Sequence, residues 1–220
     1  PLNDSEHPSQ FYFIQQDNPH QVVSTIIELC STSIPERFNF DPVNDIQVLT
    51  PMHKGVIGTT HLNQVLQKSL NRNPAIIETR GSTFKIDDKV IHLKNNYQKE
   101  VFNGDIGIIS AIDRKENLFV VDYFGRRVTY DFAEMNEISL AYAISVHKSQ
   151  GSEYPAVILP IMTQHFVLLQ RNLLYTAITR GKNLVILIGT QKALSIALKN
   201  DKPKKRLSGL AFRLMQHSET

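Results

Sequence analysis

Short apolar runs alternate along the chain with segments whose apolar residues recur every three or four positions. The runs that predict buried strands are residues 11–14, 46–50, 139–145, 156–161 and 184–189. The segments that predict helices with one apolar face are residues 19–29, 62–70, 170–180, 191–198 and 207–215. Because strand, turn and helix in succession are the local unit of a parallel sheet, we predict an α/β fold.

The pattern changes between residues 84 and 137. Here four or five short β-like runs alternate with turn signals such as Asn103-Gly104-Asp105, which is typical of a small antiparallel barrel. Since α/β units resume afterwards, we predict that the barrel is inserted into the α/β domain. The expected boundaries are residues 1–83 for the first part of that domain, 84–138 for the barrel and 139–220 for the remainder.

Composition excludes several classes of protein. The 220 residues are 41% hydrophobic and 20% charged, which is ordinary for a folded globular protein and excludes wholesale disorder. The single cysteine, Cys30, is predicted to end the first helix inside the core; it excludes a disulfide framework and a cysteine-based zinc site and fits a reducing bacterial cytoplasm. No apolar run approaches the ~18 residues of a membrane span. The eight histidines show no metal-ligand spacing, so we predict no metal site in this chain.

Charge is distributed unevenly. The net charge is +3, but residues 1–60 hold two basic and seven acidic residues, so the other 160 residues carry +8. An anionic ligand is therefore expected on the later part of the chain. A basic cluster at residues 199–206 is open to two interpretations, a solvated connector or a binding site. The chain begins with Pro1 rather than Met, which we interpret as a sign that it is a piece of a longer protein.

The densest group of chemically active residues is the segment from Ser145 to Glu153, called the 145–153 loop below. It follows a predicted strand, at the end of a parallel strand where α/β sheets place ligands. Its hydroxyls, His147, Lys148 and Gly151 can donate many hydrogen bonds to phosphate oxygens, and Glu153 can accept one from a ribose hydroxyl. The alternative is a polar turn without a ligand.

Three further groups of residues are candidates for ligand binding, but each is weaker evidence on its own than the 145–153 loop. Arg180 ends an apolar helix before a buried strand, where it can reach a phosphoryl group across an interface or simply satisfy the helix C-terminus. Lys54 follows a strand and favours an anion site. Tyr97 and Phe102, near Asn96, can stack on bases or form the core of the barrel.

The sequence also lacks two elements that phosphate-transferring proteins commonly use. The chain contains no G-x-x-x-x-G-K-[ST] loop and no acidic pair after a buried strand that would hold Mg²⁺. The chain therefore has residues suited to contacting phosphate groups but lacks the loop that binds them.

In this order, the motifs resemble the C-terminal half of RecD-like superfamily 1 DNA helicases, a family that includes the alpha subunit of exodeoxyribonuclease V. Residues 141–153 resemble helicase motif V, residues 174–182 resemble motif VI, and residues 48–55 are similar to the motif IV region. Residues 95–107 resemble the SH3-like barrel that these helicases insert. The resemblance implies a RecA-like second motor domain, lacking the P-loop, that is interrupted by the barrel.

The resemblance also implies a role for each candidate residue. Arg180 would be the arginine finger that stabilises the transferring γ-phosphoryl group. The residues implied to approach the nucleotide are Gln150, Gly151, Glu153 and Lys54. The residues implied to contact single-stranded DNA are Ser145, His147, Lys148, Asn96 and Tyr97.

The implied cofactors are ATP and Mg²⁺, both of which need a first motor domain upstream of Pro1. The implied partners are single-stranded DNA, that N-terminal motor domain and, in one branch of the family, nuclease and helicase subunits. The family is typically 5′-to-3′ in polarity and acts in recombination and repair. On this basis the 220-residue chain alone is expected to have negligible ATPase and unwinding activity.

Two other functions remain open from the sequence. The first is a non-catalytic module that binds single-stranded DNA through the barrel and the basic cluster. The second is a self-contained nucleotide-processing enzyme on a doubly wound sheet, which the missing Gly-rich loop disfavours.

Overall fold

The computed structural model describes residues 11–79 and 82–201. The strands are β1 (Phe11–Gln15), β2 (Ile46–Thr50), β3 (Ile76–Thr79), β4 (Ser82–Lys85), β5 (Lys89–His92), β6 (Ile106–Asp113), β7 (Leu118–Tyr123), β8 (Arg126–Asp131), β9 (Ile138–Leu140), β10 (Ala143–Ser145), β11 (Tyr154–Ile161) and β12 (Gly181–Gly189). The α-helices are α1 (Pro19–Glu28), α2 (Ile34–Phe38), α3 (Thr59–Leu70), α4 (Arg171–Ile178) and α5 (Gln191–Lys199). The predicted helix at 207–215 and the basic residues from Lys202 onward lie outside the described residues.

A five-stranded parallel sheet, in the order β1-β12-β11-β2-β10, forms the centre of the α/β part. Its strands are apolar because both faces are covered, as in most parallel sheets. Ile26 of α1 and Leu62 of α3 pack in the core on one face. Leu174 of α4 and Leu187 of β12 pack in a second core on the other. The α/β architecture expected from the apolar runs is confirmed.

The first helical segment is longer than the sequence predicted. Asn18 caps α1 by accepting a hydrogen bond from the backbone of His20, and Pro19 occupies the first turn, where its missing N–H costs nothing. The prediction that the helix ends at Cys30 is wrong, since a π-helical turn (Leu29–Ser33) leads directly into α2. Cys30 is buried as expected, and burial raises the pKa of its thiol to about 12.

The inserted segment forms a second sheet, antiparallel, in the order β8-β7-β6-β5-β9, preceded by the β3–β4 hairpin. Its core contains the stacked rings of Phe119 and Tyr130, whose centroids lie 5.1 Å apart. The hydroxyls of Tyr123 and Tyr130 form a buried hydrogen bond of 3.0 Å. The core of this sheet is thus separate from the two apolar cores of the α/β part.

Residues 139–145 are divided between the two sheets, whereas the sequence predicted one strand. β9 pairs with β5 of the antiparallel sheet, and β10 pairs with β2 at the edge of the parallel sheet. The chain crosses between the sheets at Ala141 and Tyr142, where the buried amide of Gln47 donates hydrogen bonds to both carbonyl oxygens. Backbone hydrogen bonds from Ala141 to Lys89 and from Val48 to Tyr142 hold the same connection, so side-chain and backbone contacts fix the crossing together.

Gly189 at the end of β12 provides a test of the sheet packing. Its φ is +151°, and a Cβ there would collide with the backbone carbonyl of Ile161 on β11. We expect Gly189→Ala to lower the free energy of unfolding by about 3 kcal/mol, measured by urea denaturation. The control is Gly125→Ala, where φ is +94° but a Cβ would meet open space, so only the backbone strain of about 1 kcal/mol applies. Equal losses in the two variants would contradict this packing.

Candidate functional site

Two loops leave the carboxyl ends of neighbouring strands and meet at the same edge of the sheet. β2 leads into residues 51–58, and β10 leads into the 145–153 loop. The register places Ser145 beside Thr50, the last residues of the two strands. The carboxyl edge of a parallel sheet is where α/β folds place ligands.

A cavity of about 70 Å³ opens between these two loops. Its lining includes His53 from the first loop, Ser145 and Lys148 from the second, and Ser139 from β9 of the antiparallel sheet. The parallel sheet, the two loops and the antiparallel sheet therefore meet at one place. The structure brings together Ser145 and Lys148, which the sequence singled out, and adds His53, which it did not.

Hydrogen bonds fix the shape of this site. Ser145 is buried, and its hydroxyl accepts a hydrogen bond of 3.4 Å from the backbone of Lys148, capping the short 3₁₀ turn that follows β10. The hydroxyl of Ser149 is turned inward to the carbonyl of Val146. The ring of His53 lies 3.1 Å from the hydroxyl of Thr59 at the start of α3. His53, His147 and Lys148 themselves are exposed.

Although much of the Lys148 side chain is exposed, the protein around it partly desolvates its ammonium group. Desolvation lowers the pKa of Lys148 below the ordinary lysine value. A nearby anion stabilises the charged form, so this position gains from a phosphate group. Lys54, on the loop after β2, is exposed and does not line the cavity.

The second half of the 145–153 loop reaches Arg180. The guanidinium of Arg180 donates hydrogen bonds to the carbonyl of Ser152 at 3.0 Å, to the carbonyl of Thr176 at 3.2 Å and to the hydroxyl of Thr179 at 3.2 Å. The bond to Thr176 satisfies the last turn of α4, which is the simple capping role expected of a cation there. The bond to Ser152 joins the two segments that the sequence identified separately.

The other candidate nucleotide residues lie on the same stretch. Gly151 has φ +85° with open space around it, so this turn favours glycine. Gln150 is exposed. Glu153 forms an exposed ion pair with Lys182 at 3.3 Å. All three are accessible to a ligand that approaches from solvent or from a facing domain.

Asn96 and Tyr97 lie apart from these loops, on a turn between β5 and β6. Asn96 pairs with Val101 through backbone hydrogen bonds, and its side chain accepts a bond from the backbone of Lys99. Tyr97 is 76% exposed and contacts Phe102, itself 45% exposed, edge to face at 6.0 Å. Of the two interpretations of Tyr97, the structure excludes a place in the core and leaves the ring free to stack.

The described part of the chain shows neither a cluster of metal-binding side chains nor a helix that could span a membrane. Within residues 11–79 and 82–201, no group of three His, Cys, Asp or Glu side chains could hold a metal ion. None of the helices described there has the length and apolar character that a membrane crossing requires.

Comparison with known protein families finds two matches, in different segments of the chain. Residues 62–123 match the SH3 domain of ATP-dependent RecD-like DNA helicases, and residues 140–188 match the UvrD-like helicase C-terminal domain. Both matching models are of DNA-helicase domains, one RecD-like and one UvrD-like. The parallel sheet is that of a RecA-like helicase domain, and the inserted antiparallel sheet is the SH3-like domain, as the sequence predicted.

Individual relatives agree with this assignment. This chain is 34% identical over 172 residues to the ATP-dependent RecD2 DNA helicase of Deinococcus radiodurans, covering 78% of this chain and 24% of that protein. It is 25% identical over 172 residues to the RecBCD enzyme subunit RecD of Mycolicibacterium smegmatis, covering 78% of this chain and 30% of the relative. The match thus spans 24% and 30% of the length of these two relatives.

A solved structure shows the same fold. The Pif1 helicase from Bacteroides, crystallised with ADP-AlF3 and ssDNA, superposes with a TM-score of 0.51 at 17% identity. The match covers 90% of this chain and 50% of the Pif1 chain.

Proposed function

We propose that this chain is the second motor half of a longer ATP-dependent DNA helicase, called the intact helicase below. The observation that carries the proposal is the 145–153 loop. Its first half bounds the cavity with His53, and its second half holds Arg180 through the carbonyl of Ser152. One short segment therefore touches both places where a phosphate would bind, which is what coupling ATP hydrolysis to movement on DNA requires.

In this proposal Arg180 is the arginine finger. Its guanidinium is planar, always charged and able to form two parallel hydrogen bonds with phosphoryl oxygens. The three acceptors that hold it here, on Ser152, Thr176 and Thr179, are neutral oxygens. A γ-phosphoryl group is a stronger acceptor, so the side chain can exchange these bonds for charge-assisted ones when ATP is bound.

The remaining nucleotide residues fit one side of an ATP site. Glu153 can accept a hydrogen bond from a ribose hydroxyl, Gly151 allows close backbone approach, and Gln150 and Lys54 can donate to phosphate oxygens. This donor set holds no P-loop and no acidic pair for Mg²⁺. ATP and Mg²⁺ supply the phosphoryl-transfer chemistry when bound, and we propose that the facing motor domain of the intact helicase binds most of both.

Single-stranded DNA is the proposed ligand of the cavity between the two loops. Ser145, Lys148 and His53 present a hydroxyl, an ammonium and an imidazole to one small space, which suits a backbone phosphate. His147 is exposed beside them, and Tyr97 with Asn96 would add base stacking at the SH3-like domain.

The wider features of the proposal follow from the relatives. We propose residues 1–83 and 139–220 as the motor domain and 84–138 as the barrel, with 5′-to-3′ polarity and a cytoplasmic location in a bacterium. The partners are single-stranded DNA, ATP and the N-terminal motor domain of the same protein. Relatives that are RecBCD subunits extend these partners to nuclease and helicase subunits, with a role in recombination and repair.

The alternative is a module that binds single-stranded DNA without catalysis, favoured by the exposed Tyr97 and Phe102 rings. Variants of Lys148 distinguish the two functions. We expect Lys148→Ala to weaken binding of a fluorescein-labelled oligothymidine to the 220-residue chain about tenfold at low salt and to reduce the salt slope by about one. The matched control is Lys192→Ala, which removes an exposed lysine on α5.

The pH dependence of binding gives a second readout. Because partial desolvation lowers the pKa of Lys148, this side chain loses its charge at a lower pH than an ordinary lysine does. DNA affinity should fall over that range in the wild type and not in Lys148→Ala. Tight binding that is insensitive to Lys148→Ala would favour the non-catalytic module.

A further inference from the structure

Along its length, helix α3 contacts the loop of residues 51–58, the edge strand of the parallel sheet and the SH3-like domain. Its first residue, Thr59, contacts His53. One turn later, Asn63 exchanges two hydrogen bonds of 2.8 Å with the backbone of Ala143 on β10. Near its end, Gln67 and Asn71 both donate to the carboxylate of Asp88.

Asp88 is the centre of this arrangement. It is fully buried at the entry to β5, and besides Gln67 and Asn71 it accepts hydrogen bonds from the backbone of Lys85 at 2.6 Å and from the hydroxyl of Tyr142 at 2.8 Å. Four donors therefore satisfy one carboxylate. Burial raises the pKa of Asp88, and these hydrogen bonds oppose the rise.

Tyr142 connects this carboxylate to the proposed DNA site. It directly precedes β10, a strand of three residues that lies at the edge of the sheet and pairs with β2 on one side only. On the open side Asn63 replaces a strand partner at Ala143. Because so short an edge strand has few ladder bonds, these side-chain contacts contribute to holding its position, and Ser145 is its last residue.

We infer that Asp88, through Tyr142, is a positioning residue that fixes β10, and with it Ser145 and Lys148, relative to the SH3-like domain. The inference rests on the proposed function, since it assigns Ser145 and Lys148 to DNA. Asp88 and Tyr142 themselves are buried, so the proposal gives them no direct contact with DNA. Removing their hydrogen bond lets β10 shift, so the phosphate contacts at its end lose geometry while the rest of the fold stays in place.

The test is Tyr142→Phe, which removes one hydroxyl and leaves Asp88 with three donors. We expect the 220-residue chain to bind labelled oligothymidine up to about tenfold more weakly, which is the loss expected when the Lys148 contact to DNA is misplaced. Tyr12→Phe is the matched control, because the hydroxyl of Tyr12 is buried on β1, at the opposite edge of the same sheet, and has no hydrogen-bond partner among the described residues. It should leave affinity unchanged. Circular dichroism of both variants, recorded beside the binding assay, separates a loss of affinity from a loss of fold.

A double variant distinguishes a positioning role of Tyr142 from a general effect on stability. In the Tyr142→Phe background, Lys148→Ala should cost less affinity than in the wild type, because the contact is already misplaced. The inference would be overturned if Tyr142→Phe left DNA affinity unchanged, or if the affinity losses of Tyr142→Phe and Lys148→Ala were fully additive in the double variant. In either case a loss of affinity in Lys148→Ala alone would still support the DNA site. If Lys148→Ala has no effect on binding, the proposed DNA site itself fails.

Discussion

Replacing Arg180 by alanine should lower kcat for DNA-stimulated ATP hydrolysis by the intact helicase ~10³-fold or more. Phosphoryl transfer depends mostly on positioning and on charge stabilisation, and Arg180 is the residue proposed to supply that charge from this half of the site. Steady-state ATPase assays at saturating single-stranded DNA measure the effect directly. The KM for ATP should change far less than kcat, because the guanidinium acts on the transition state.

Two controls separate this effect from a loss of structure. Arg180→Lys keeps the charge but not the planar fork, so it should restore little activity. Arg171→Ala removes an arginine at the other end of α4, where the side chain pairs with Asp201 at 2.7 Å, and should leave kcat within about twofold. An Arg180→Ala enzyme that keeps more than about a tenth of the wild-type kcat would contradict the finger assignment.

The second large effect concerns the 220-residue chain on its own. We expect it to hydrolyse no measurable ATP even at saturating DNA, although it should still bind DNA weakly. The physical reason is that Arg180 stabilises a charge that only a correctly held nucleotide develops, and the chain contains no P-loop lysine or Mg²⁺-binding acids. Adding Arg180→Ala to this chain should therefore change nothing in the ATPase assay.

Local pattern was enough to predict most of the elements. The apolar runs became β1, β2, β11 and β12 within a few residues of the expected ends, because strands buried on both faces leave a strong signal in sequence. The repeated turns likewise predicted the inserted antiparallel sheet. The density of donors in the 145–153 loop correctly marked the end of a parallel strand.

What the sequence did not show depends on partners far away in the chain. The division of residues 139–145 between two sheets is decided by pairing with β5 and β2, which neighbouring residues do not reveal. The four donors around Asp88 come from α3, the turn at Lys85 and Tyr142, up to 54 residues away. His53 was missed because a lone histidine in a turn has no signal until Ser145 and Lys148 are seen across the cavity.

The most direct test of the proposed function is ATP hydrolysis measured side by side for the intact helicase and the 220-residue chain, each with and without single-stranded DNA. The proposal predicts DNA-stimulated turnover by the intact helicase, lost in Arg180→Ala, and none by the chain alone. Robust DNA-stimulated turnover by the 220-residue chain, abolished by Arg180→Ala, would contradict it.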